Sequence, residues 1–404
     1  MNDSLSTIAI KGKWVLATDG DDPSLKSNQW VVVENDRVAA ITPTKPPVAQ
    51  EYLELDEGLV LPGFINMHNH LSSAVLTRGL TEDLTSNSYA TDLIYDILLP
   101  TSKVAVELLA TQEIRAIAEL GLLEIIKGGT TTVLDMFRAQ QVHNFDAALD
   151  MGLRFYGAPY LFSGTGEDPI EEWKSIDQSY HDRDRARIKV FLGPHGVDTC
   201  DTDLFLAVNE LARERDCLIC THVSQSLQEV EQLKQSHGCS PVAHLANIGV
   251  LGPNLLAAHC LYADENDLEL IRSTDTVVAN CPMTFARGGL YAPYHRFAGR
   301  GIRTVLGTDG YIMDVANEMR MSGIISKLES GRADVATAGE LVNAMTVTAA
   351  DVLGRSDLGR IRPGAKADLV VVDLKAGKVY GHYLLDLNPA GTKEPEEGEA
   401  PSAD

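Results

Sequence analysis

Residues 59–70 read Leu-Val-Leu-Pro-Gly-Phe-Ile-Asn-Met-His-Asn-His, and this stretch decides the fold. An apolar run leads here into His68 and His70. In an extended strand, residues two apart point to the same face, so the two imidazoles lie side by side at the end of the strand. Such a pair can bind one metal ion, although histidine is common on half-exposed strands and the pair alone is weak support.

Further apolar runs along the chain end in a residue that commonly binds metal ions. One run ends at His222, another at His259 and a third at Asp309. Together with the histidine pair, these strand-like runs predict a hydrolytic metal site.

The pattern of apolar residues predicts an α/β fold. The first sixty residues favour strands, at 7–16 and 30–41, with a turn at 34–37. From Gly63 onward, short apolar strands alternate with amphipathic helices, one of them at 104–126. The further predicted strands are 130–135, 153–159, 188–193, 217–222, 255–260, 276–281 and 302–308. With the strand that ends at His70, these make about eight strand–helix units, the signature of a (β/α)8 TIM-type barrel.

The remaining segments predict a second, smaller unit and a tail. We expect residues 1–62 and 355–387 to form a small flanking β-sandwich domain, and residues 63–354 to form the barrel domain. The strand predicted at 367–373 returns to the N-terminal β unit, although little chain is left to follow it. Residues 388–404 are acidic and polar, a composition that cannot bury a core, so we expect a disordered tail.

Composition excludes some classes of partner. The formal net charge of −23 over 404 residues disfavours nucleic acids and anionic membranes. No run of apolar residues is long enough to span a bilayer, and the first residues do not resemble a secretory signal, so a cytoplasmic protein is the expectation. The six cysteines have no disulfide-like spacing, and we expect them to be small buried side chains.

The barrel explains how donors far apart in sequence can meet. Active sites of this fold lie at the carboxyl ends of the strands. His68 and His70 end strand one, His222 ends strand five, and Asp309 ends strand eight. Imidazoles and one carboxylate suit one divalent ion, Zn²⁺ in the first place and Fe²⁺ as the alternative, with a position left for water.

The chain resembles the amidohydrolase superfamily, in the branch that holds adenosylhomocysteine and guanine deaminases and the triazine hydrolases. The resemblance rests on an ordered set of motifs. These are Pro62 to His70, Gly128-Gly129-Thr130, Gly193-Pro194-His195, Thr221-His222, Ala258-His259-Cys260, Asn280-Cys281-Pro282, Gly307-Thr308-Asp309 and Gly364 to Leu369.

The resemblance implies a role for each matching residue. His68, His70, His222 and Asp309 would hold one divalent metal, and Asp309 would also take a proton from the metal-activated water. His259 would polarise the substituent of the attacked carbon. His195, at the end of strand four, matches a position that contacts substrate.

One position departs from the family pattern. Deaminases of this branch carry glutamate three residues after the strand-five histidine, as a proton shuttle, and this chain has Gln225 there. A neutral amide can orient a substrate but cannot act as acid or base near pH 7. Glu229, one helical turn further on, could reach the site, but we expect it to be exposed.

The loops predict further substrate contacts and leave several functions open. Arg78 and Glu82 follow strand one, and Arg287 follows strand seven, where it could pair with an anionic or carbonyl group. The leading hypothesis is hydrolysis of a non-peptide C–N bond in a small, cyclic or N-heterocyclic molecule. The alternatives are a deaminase of a purine-like or triazine-like compound, and a catalytically weakened metal-binding relative. A homo-oligomer is expected for a barrel of this kind.

Overall fold

The computed structural model describes residues 7–19, 22–81, 83–84, 93–166, 168–183, 187–375 and 378–383. Glu82 and the predicted acidic tail at 388–404 lie outside the described residues. The strands are β1 (Thr7–Asp19), β2 (Asp22–Glu34), β3 (Arg37–Thr42), β4 (Glu51–Glu54), β5 (Gly58–Pro62), β6 (Phe64–Asn69), β7 (Thr130–Phe137), β8 (Arg154–Leu161), β9 (Ile188–Val190), β10 (Gly193–Pro194), β11 (Ile219–Val223), β12 (Leu255–His259), β13 (Val277–Asn280), β14 (Thr304–Leu306), β15 (Leu369–Asp373) and β16 (Lys378–Tyr383).

Helices cover most of the connections between the barrel strands. They are α1 (Leu71–Thr77), α2 (Leu99–Leu108), α3 (Thr111–Lys127), α4 (His143–Asp150), α5 (Pro169–Tyr180), α6 (Thr202–Arg215), α7 (Leu227–His237), α8 (Pro241–Asn247), α9 (Glu265–Ser273), α10 (Pro282–Ala286), α11 (Tyr294–Ala298), α12 (Val315–Ser330), α13 (Ala338–Ala344) and α14 (Val347–Val352). Short 3₁₀ turns lie at Arg78–Leu80 and Ala139–Gln141, and a π-helix at Ile94–Leu98 precedes α2.

The barrel is a ring of parallel strands. One sheet joins β6, β7 and β8 to β9 and β10, and a second runs from β11 to β14. Parallel bridges close the ring on both sides, between Gly196 and His222 and between Asn69 and Asp309. Because the strands are parallel, their carboxyl ends all meet at one mouth. The predicted TIM-type barrel is therefore confirmed.

A seven-stranded sheet built from both ends of the chain lies beside the barrel. Successive side chains along its strands point to opposite faces, and each face packs into a different hydrophobic core. Val60 on β5 and Val371 on β15 are buried with the N-terminal strands, whereas Leu61 and Val370 pack against the barrel side. A buried ion pair between Arg154 of β8 and Asp368, at 2.6 Å, joins the two units. From this division we infer two separate domains.

The apolar run at 59–65 forms two strands rather than one. β5 pairs with β15 in the flanking sheet, whereas β6 pairs with β7 in the barrel. The chain changes sheet at Gly63, whose N–H donates to the carbonyl of Asp368 at 2.7 Å. A Cβ at Gly63 would lie 2.1 Å from the Thr131 hydroxyl oxygen, so only glycine fits this crossing.

The helix predicted at 104–126 is interrupted. α2 ends at Leu108, and Leu109 is extended, with φ −82° and ψ 139°. A new helix then begins, because the Glu113 carboxylate accepts the backbone N–H of Ala110 at 2.8 Å. This local side-chain bond competes with continuation of the first helix. No helix of the described residues is both long and apolar enough to cross a membrane.

The close contact between the first and last barrel strands, β6 and β14, leads us to expect that a single added methyl group at Gly307 destabilises the fold. A Cβ at Gly307 would lie 2.6 Å from the backbone nitrogen of His68. We expect Gly307→Ala to lower the free energy of unfolding by about 1–3 kcal/mol, as overpacking does. Urea unfolding measures this. Gly339→Ala in α13 is the control, because its Cβ meets no atom within 4 Å and alanine favours a helix. Equal stability of both variants would contradict the close approach.

Candidate active site

The candidate site residues follow the strand ends in unusual backbone conformations. Ser224, His259 and Asp309 have φ values of 50°, 76° and 54°. Non-glycine residues rarely adopt positive φ, and such strain is retained where the surrounding structure enforces it. Of these three residues, His259 and Asp309 present their side chains to the cavity at the barrel mouth.

Two imidazoles face each other through nitrogens that carry lone pairs. The Nδ1–H of His70 donates to the carbonyl of Met136 at 2.8 Å, and the Nδ1–H of His222 donates to the carbonyl of His195 at 2.5 Å. When both rings are neutral, as metal binding requires, each Nε2 is an acceptor, yet the two Nε2 atoms are only 3.3 Å apart. Two lone pairs at this distance repel each other unless a cation lies between them.

His68 and Asp309 complete the donor set. The Nε2 of His68 is buried and has no hydrogen-bond partner among the described residues. The ligand atoms of His68, His70 and His222 all lie within 4.8 Å of one another. The Asp309 carboxylate lies 3.1 Å from the His70 Nε2 and 3.8 Å from the His68 Nε2. These residues fit a divalent metal ion, whose preferred donors are neutral imidazoles and carboxylates.

Burial keeps four of the five histidines at this site neutral. It holds the pKa values of His68 and His222 well below their usual range, and neighbouring imidazoles lower them further. Burial also lowers the pKa of His259 to about 4 and that of His195 to about 3. All four rings are therefore neutral near pH 7. His70 differs: burial acts to lower its pKa too, but the hydrogen bond and charge of the Asp309 carboxylate outweigh burial and raise it.

His259 and His195 lie at the same site as the sequence predicts, on opposite sides of His222. The His259 ring stacks on His222 with centroids 5.3 Å apart, and its Nε2 lies 3.9 Å from the Asp309 carboxylate. Its Nδ1 has no hydrogen-bond partner among the described residues. His195 donates or accepts at the Thr199 hydroxyl, 2.9 Å away, while its carbonyl orients His222.

Gln225 lines the cavity, and Glu229 supports it from behind. The Gln225 side-chain nitrogen is buried and has no partner within the described part of the chain. The Glu229 carboxylate accepts the backbone N–H groups of Ser224 and Gln225 at 2.9 and 2.7 Å. The expectation that Glu229 is exposed was wrong: it is completely buried, and burial raises its pKa to about 8. It holds the strained turn instead of entering the cavity.

The two predicted arginines have different places. The structure does not bring Arg78 to the cavity, because its guanidinium bonds to Glu124 of α3 at 2.5 Å. Arg287 does line the cavity. Its guanidinium donates to the Thr81 hydroxyl at 2.7 Å and lies 4.4 Å from the centroid of the Tyr311 ring. Arg287 thus links the loops that follow the barrel strands β6, β13 and β14.

One cavity of about 450 Å³ at the barrel mouth is bordered by His70, His195, His222, Gln225, His259, Arg287 and Asp309. That volume is typical of a pocket for a small molecule. Its deep end is formed by His70, His195, His222, Gln225, His259 and Asp309.

Sequence patterns did not identify several residues that shape the site. Tyr160 lines the cavity, and its hydroxyl lies 3.0 Å from the His70 Nδ1. It follows the predicted end of its strand by one residue, so the position at a strand end was the available signal. Cys281, predicted as a small buried side chain, is buried with its sulfur within 4.8 Å of ring nitrogens of His68 and His259.

Asp135 lies behind the candidate metal ligands. Its buried carboxylate accepts the Asn69 amide at 2.8 Å and the Leu71 N–H at 2.6 Å. The side-chain amide oxygen of Asn69 in turn accepts the Thr308 hydroxyl at 3.0 Å. Because Asn69 lies between His68 and His70, and Thr308 precedes Asp309, this network links the ligands of strands one and eight.

Comparison with known proteins decides the family. Residues 59–397 match the model of the amidohydrolase family. The chain belongs to the amidohydrolase family. A 5′-deoxyadenosine deaminase of Methanosarcina mazei is 28% identical over 385 residues, which cover 92% of this chain and 85% of the relative.

Solved structures share the amidohydrolase fold. A zinc-bound adenosine deaminase from Xanthomonas campestris matches with a TM-score of 0.81 and 22% identity, over 92% of this chain and 85% of its own. An atrazine chlorohydrolase from Arthrobacter aurescens, complexed with zinc, matches with a TM-score of 0.80 and 21% identity, over 91% and 87%. These matches confirm the barrel fold.

The amidohydrolase assignment confirms the predicted enzyme class. The chain is a metal-dependent hydrolase that acts on carbon–nitrogen bonds other than peptide bonds, with a small molecule as its substrate. The fit of the histidine cluster supports a divalent metal ion in this amidohydrolase.

The network around Asp135 predicts a loss of metal affinity without loss of fold. We expect Asp135→Asn to weaken Zn²⁺ binding about 10- to 100-fold, the usual effect of removing a group that orients ligands. Competition with a chelator measures the affinity. Asp368→Asn is the control, because it also removes a buried carboxylate but lies at the Arg154 ion pair. Equal affinities in both variants would show that Asp135 does not orient the ligands.

Proposed function

We propose that this amidohydrolase uses one Zn²⁺ ion, held by His68, His70, His222 and Asp309, to hydrolyse a C–N bond in a small cyclic or N-heterocyclic molecule. The observation that carries the proposal is the pair of acceptor nitrogens of His70 and His222, only 3.3 Å apart, beside the unpartnered Nε2 of His68. A divalent cation bound between these nitrogens would relieve that repulsion.

When bound, the ion supplies a Lewis acid that makes water acidic enough to be a nucleophile near neutral pH. Asp309 takes the proton of the attacking water. One of its oxygens accepts the Gly310 N–H at 2.6 Å, which fixes the carboxylate plane. Its other oxygen lies 3.9 Å from the His259 Nε2, so both groups face one reacting centre.

His259 stabilises the charge that develops on the substituent of the attacked carbon. It is held by stacking on His222 and by the edge of Phe285, whose ring centroid is 4.8 Å away. A fixed, desolvated imidazole needs no reorganisation when charge develops, which is the main source of such stabilisation. His195 borders the same space and orients the substrate.

The side chain of Gln225 bears on which reaction is catalysed, hydrolysis of an amide-like C–N bond or deamination of an aromatic ring. Its unpartnered amide nitrogen can donate a hydrogen bond to a substrate carbonyl or ring nitrogen, but it cannot protonate a leaving group. This favours amide-like, urea-like or otherwise activated C–N bonds over deamination of an aromatic ring. The second candidate, deamination of a purine-like or triazine-like compound, is favoured by the similarity to a 5′-deoxyadenosine deaminase.

A catalytically weakened relative is the third candidate, and the site argues against it. The four proposed ligands and His259 all converge, and His259 and Asp309 hold strained backbone conformations toward the mouth. Strain without a function would be an uncompensated cost of about 1–3 kcal/mol for each residue.

Metal content tests the ligand set. We expect about one Zn²⁺ per chain, and its loss together with hydrolytic activity in His70→Ala and Asp309→Ala, because each change removes a donor. Elemental analysis after purification without a tag gives the stoichiometry. His143→Ala is the matched control, because His143 pairs with Asp146 at the start of α4. Full metal content in both site variants would refute the assignment.

Exchange of Gln225 tests the reaction type. We expect Gln225→Glu to raise ammonia release from 5′-deoxyadenosine and aminotriazines by about 10²–10⁴ in kcat/KM, the usual value of a positioned acid. The same change should slow hydrolysis of cyclic amides and ureas, because it replaces a donor by an acceptor. A coupled ammonia assay beside product chromatography measures both. Rapid ammonia release by the unchanged protein would favour the deaminase instead.

A further inference from the structure

The two ends of the active-site cavity differ in chemistry. The deep end carries the histidines, Gln225 and Asp309, whereas most of the aliphatic side chains lie away from it. The aliphatic lining residues are Leu84, Leu93, Ile94, Leu98, Leu99 and Leu290, and the hydroxyl side chains of Ser73, Thr77, Thr81, Ser102 and Thr284 also border the cavity. Among the described lining residues other than histidines, the charged ones are Asp83, Arg287 and Asp309.

A π-helix places Ile94, Leu98 and Leu99 along the wall of the cavity. The N–H of Leu99 donates to the carbonyl of Ile94, five residues earlier. This wide turn brings Ile94 and Leu99 onto one face, with Leu98 beside them, and π-turns of this kind occur often at functional sites. These side chains are only half-buried although they lie inside the mouth of the barrel. Their free surface faces the cavity.

Two contacts fix this apolar wall to the barrel. The Tyr95 hydroxyl donates to the carboxylate of Asp198, in the loop after β10. The Arg138 guanidinium, at the end of β7, donates to the Leu99 carbonyl at 2.8 Å and to the Ser102 hydroxyl at 2.9 Å. The wall is therefore held at both ends over the metal ligands and is preformed for a ligand.

The opposite wall offers no strong site for an anion. The Arg287 side chain is drawn back, since its Nε donates to the Thr284 carbonyl at 3.2 Å and another nitrogen donates to Thr81. Phe285 and Leu290 supply apolar surface on the same side. A substrate that fills the cavity thus meets polar groups beside the histidines and a continuous aliphatic surface along Ile94, Leu98 and Leu99.

We propose that the substrate carries an apolar substituent, aliphatic or aromatic, on the side away from the hydrolysed bond, and that Ile94, Leu98 and Leu99 bind it. This inference rests on the proposed function for the position of the reacting end. Burial of the substituent would supply most of the binding free energy, and the polar groups would fix its orientation.

A series of n-alkyl hydroxamates tests the inference without knowledge of the substrate. Their head group chelates Zn²⁺, and their chains lengthen from acetyl to octanoyl. We expect calorimetry on the zinc-loaded protein to show about three- to fourfold tighter binding for each added methylene, until the apolar wall is covered.

Substitution of Leu98 localises the effect. We expect Leu98→Asn to flatten the dependence on chain length while acetohydroxamate binds as before. Leu108→Asn is the matched control, because Leu108 ends the adjoining helix α2 and is 78% exposed to solvent. Its series should match that of the unchanged protein.

The outcomes separate the inference from the proposed function. A series in which acetohydroxamate binds but longer chains bind no better would overturn the inference and leave the metal site intact. So would a Leu98→Asn series with the original slope. Failure of every hydroxamate to bind the zinc-loaded protein would overturn the proposed function, and the inference with it.

Discussion

The closing seam of the barrel is the constraint on which the site depends. Asp309 donates its backbone N–H to the backbone carbonyl of His68 at 2.9 Å, and the side-chain amide oxygen of Asn66 accepts the Thr308 N–H at 3.1 Å. The last barrel strand, β14, can approach the first barrel strand, β6, this closely because Gly307 has no side chain. The same contacts place the last ligand next to the first. Ring closure and assembly of the metal site are therefore one event.

Concentrating imidazoles at the barrel mouth opposes folding. Desolvated nitrogens with no partner, positive φ at His259 and Asp309 and two acceptors in contact all raise the free energy of the metal-free site. Asp135 and Glu229 fix the strand ends from behind by accepting backbone N–H groups, but burial raises the pKa of these carboxyls to about 7 and about 8, so they add to the cost. A bound cation would offset that cost, so metal affinity and stability should be coupled.

Sequence analysis predicted the strands and their donors because both follow local rules. Alternation of apolar residues marks a buried strand, and parallel strands bring their ends together whatever their separation in sequence. It could not predict the direction of Arg78 or Glu229, since each choice depends on a partner that folding supplies. Glu124 is 46 residues from Arg78, and the turn that Glu229 holds exists only once His222 and its strand are in place. Tyr160 was missed because the predicted strand ended one residue earlier, at 159, whereas β8 extends to Leu161.

The chemistry of the site and the shape of its cavity select the same kind of substrate. With glutamine at position 225, leaving-group protonation depends on Asp309, His259 or water, so the reaction suits bonds whose departure needs little help. Such a substrate gains little binding free energy from ionic contacts, since Arg287 is turned toward Thr81 and Thr284. Its affinity must therefore come from apolar surface, which the π-helix presents on the opposite wall. Reaction type and recognition thus both follow from two features of the cavity: an amide at position 225 and an aliphatic surface along the π-helix.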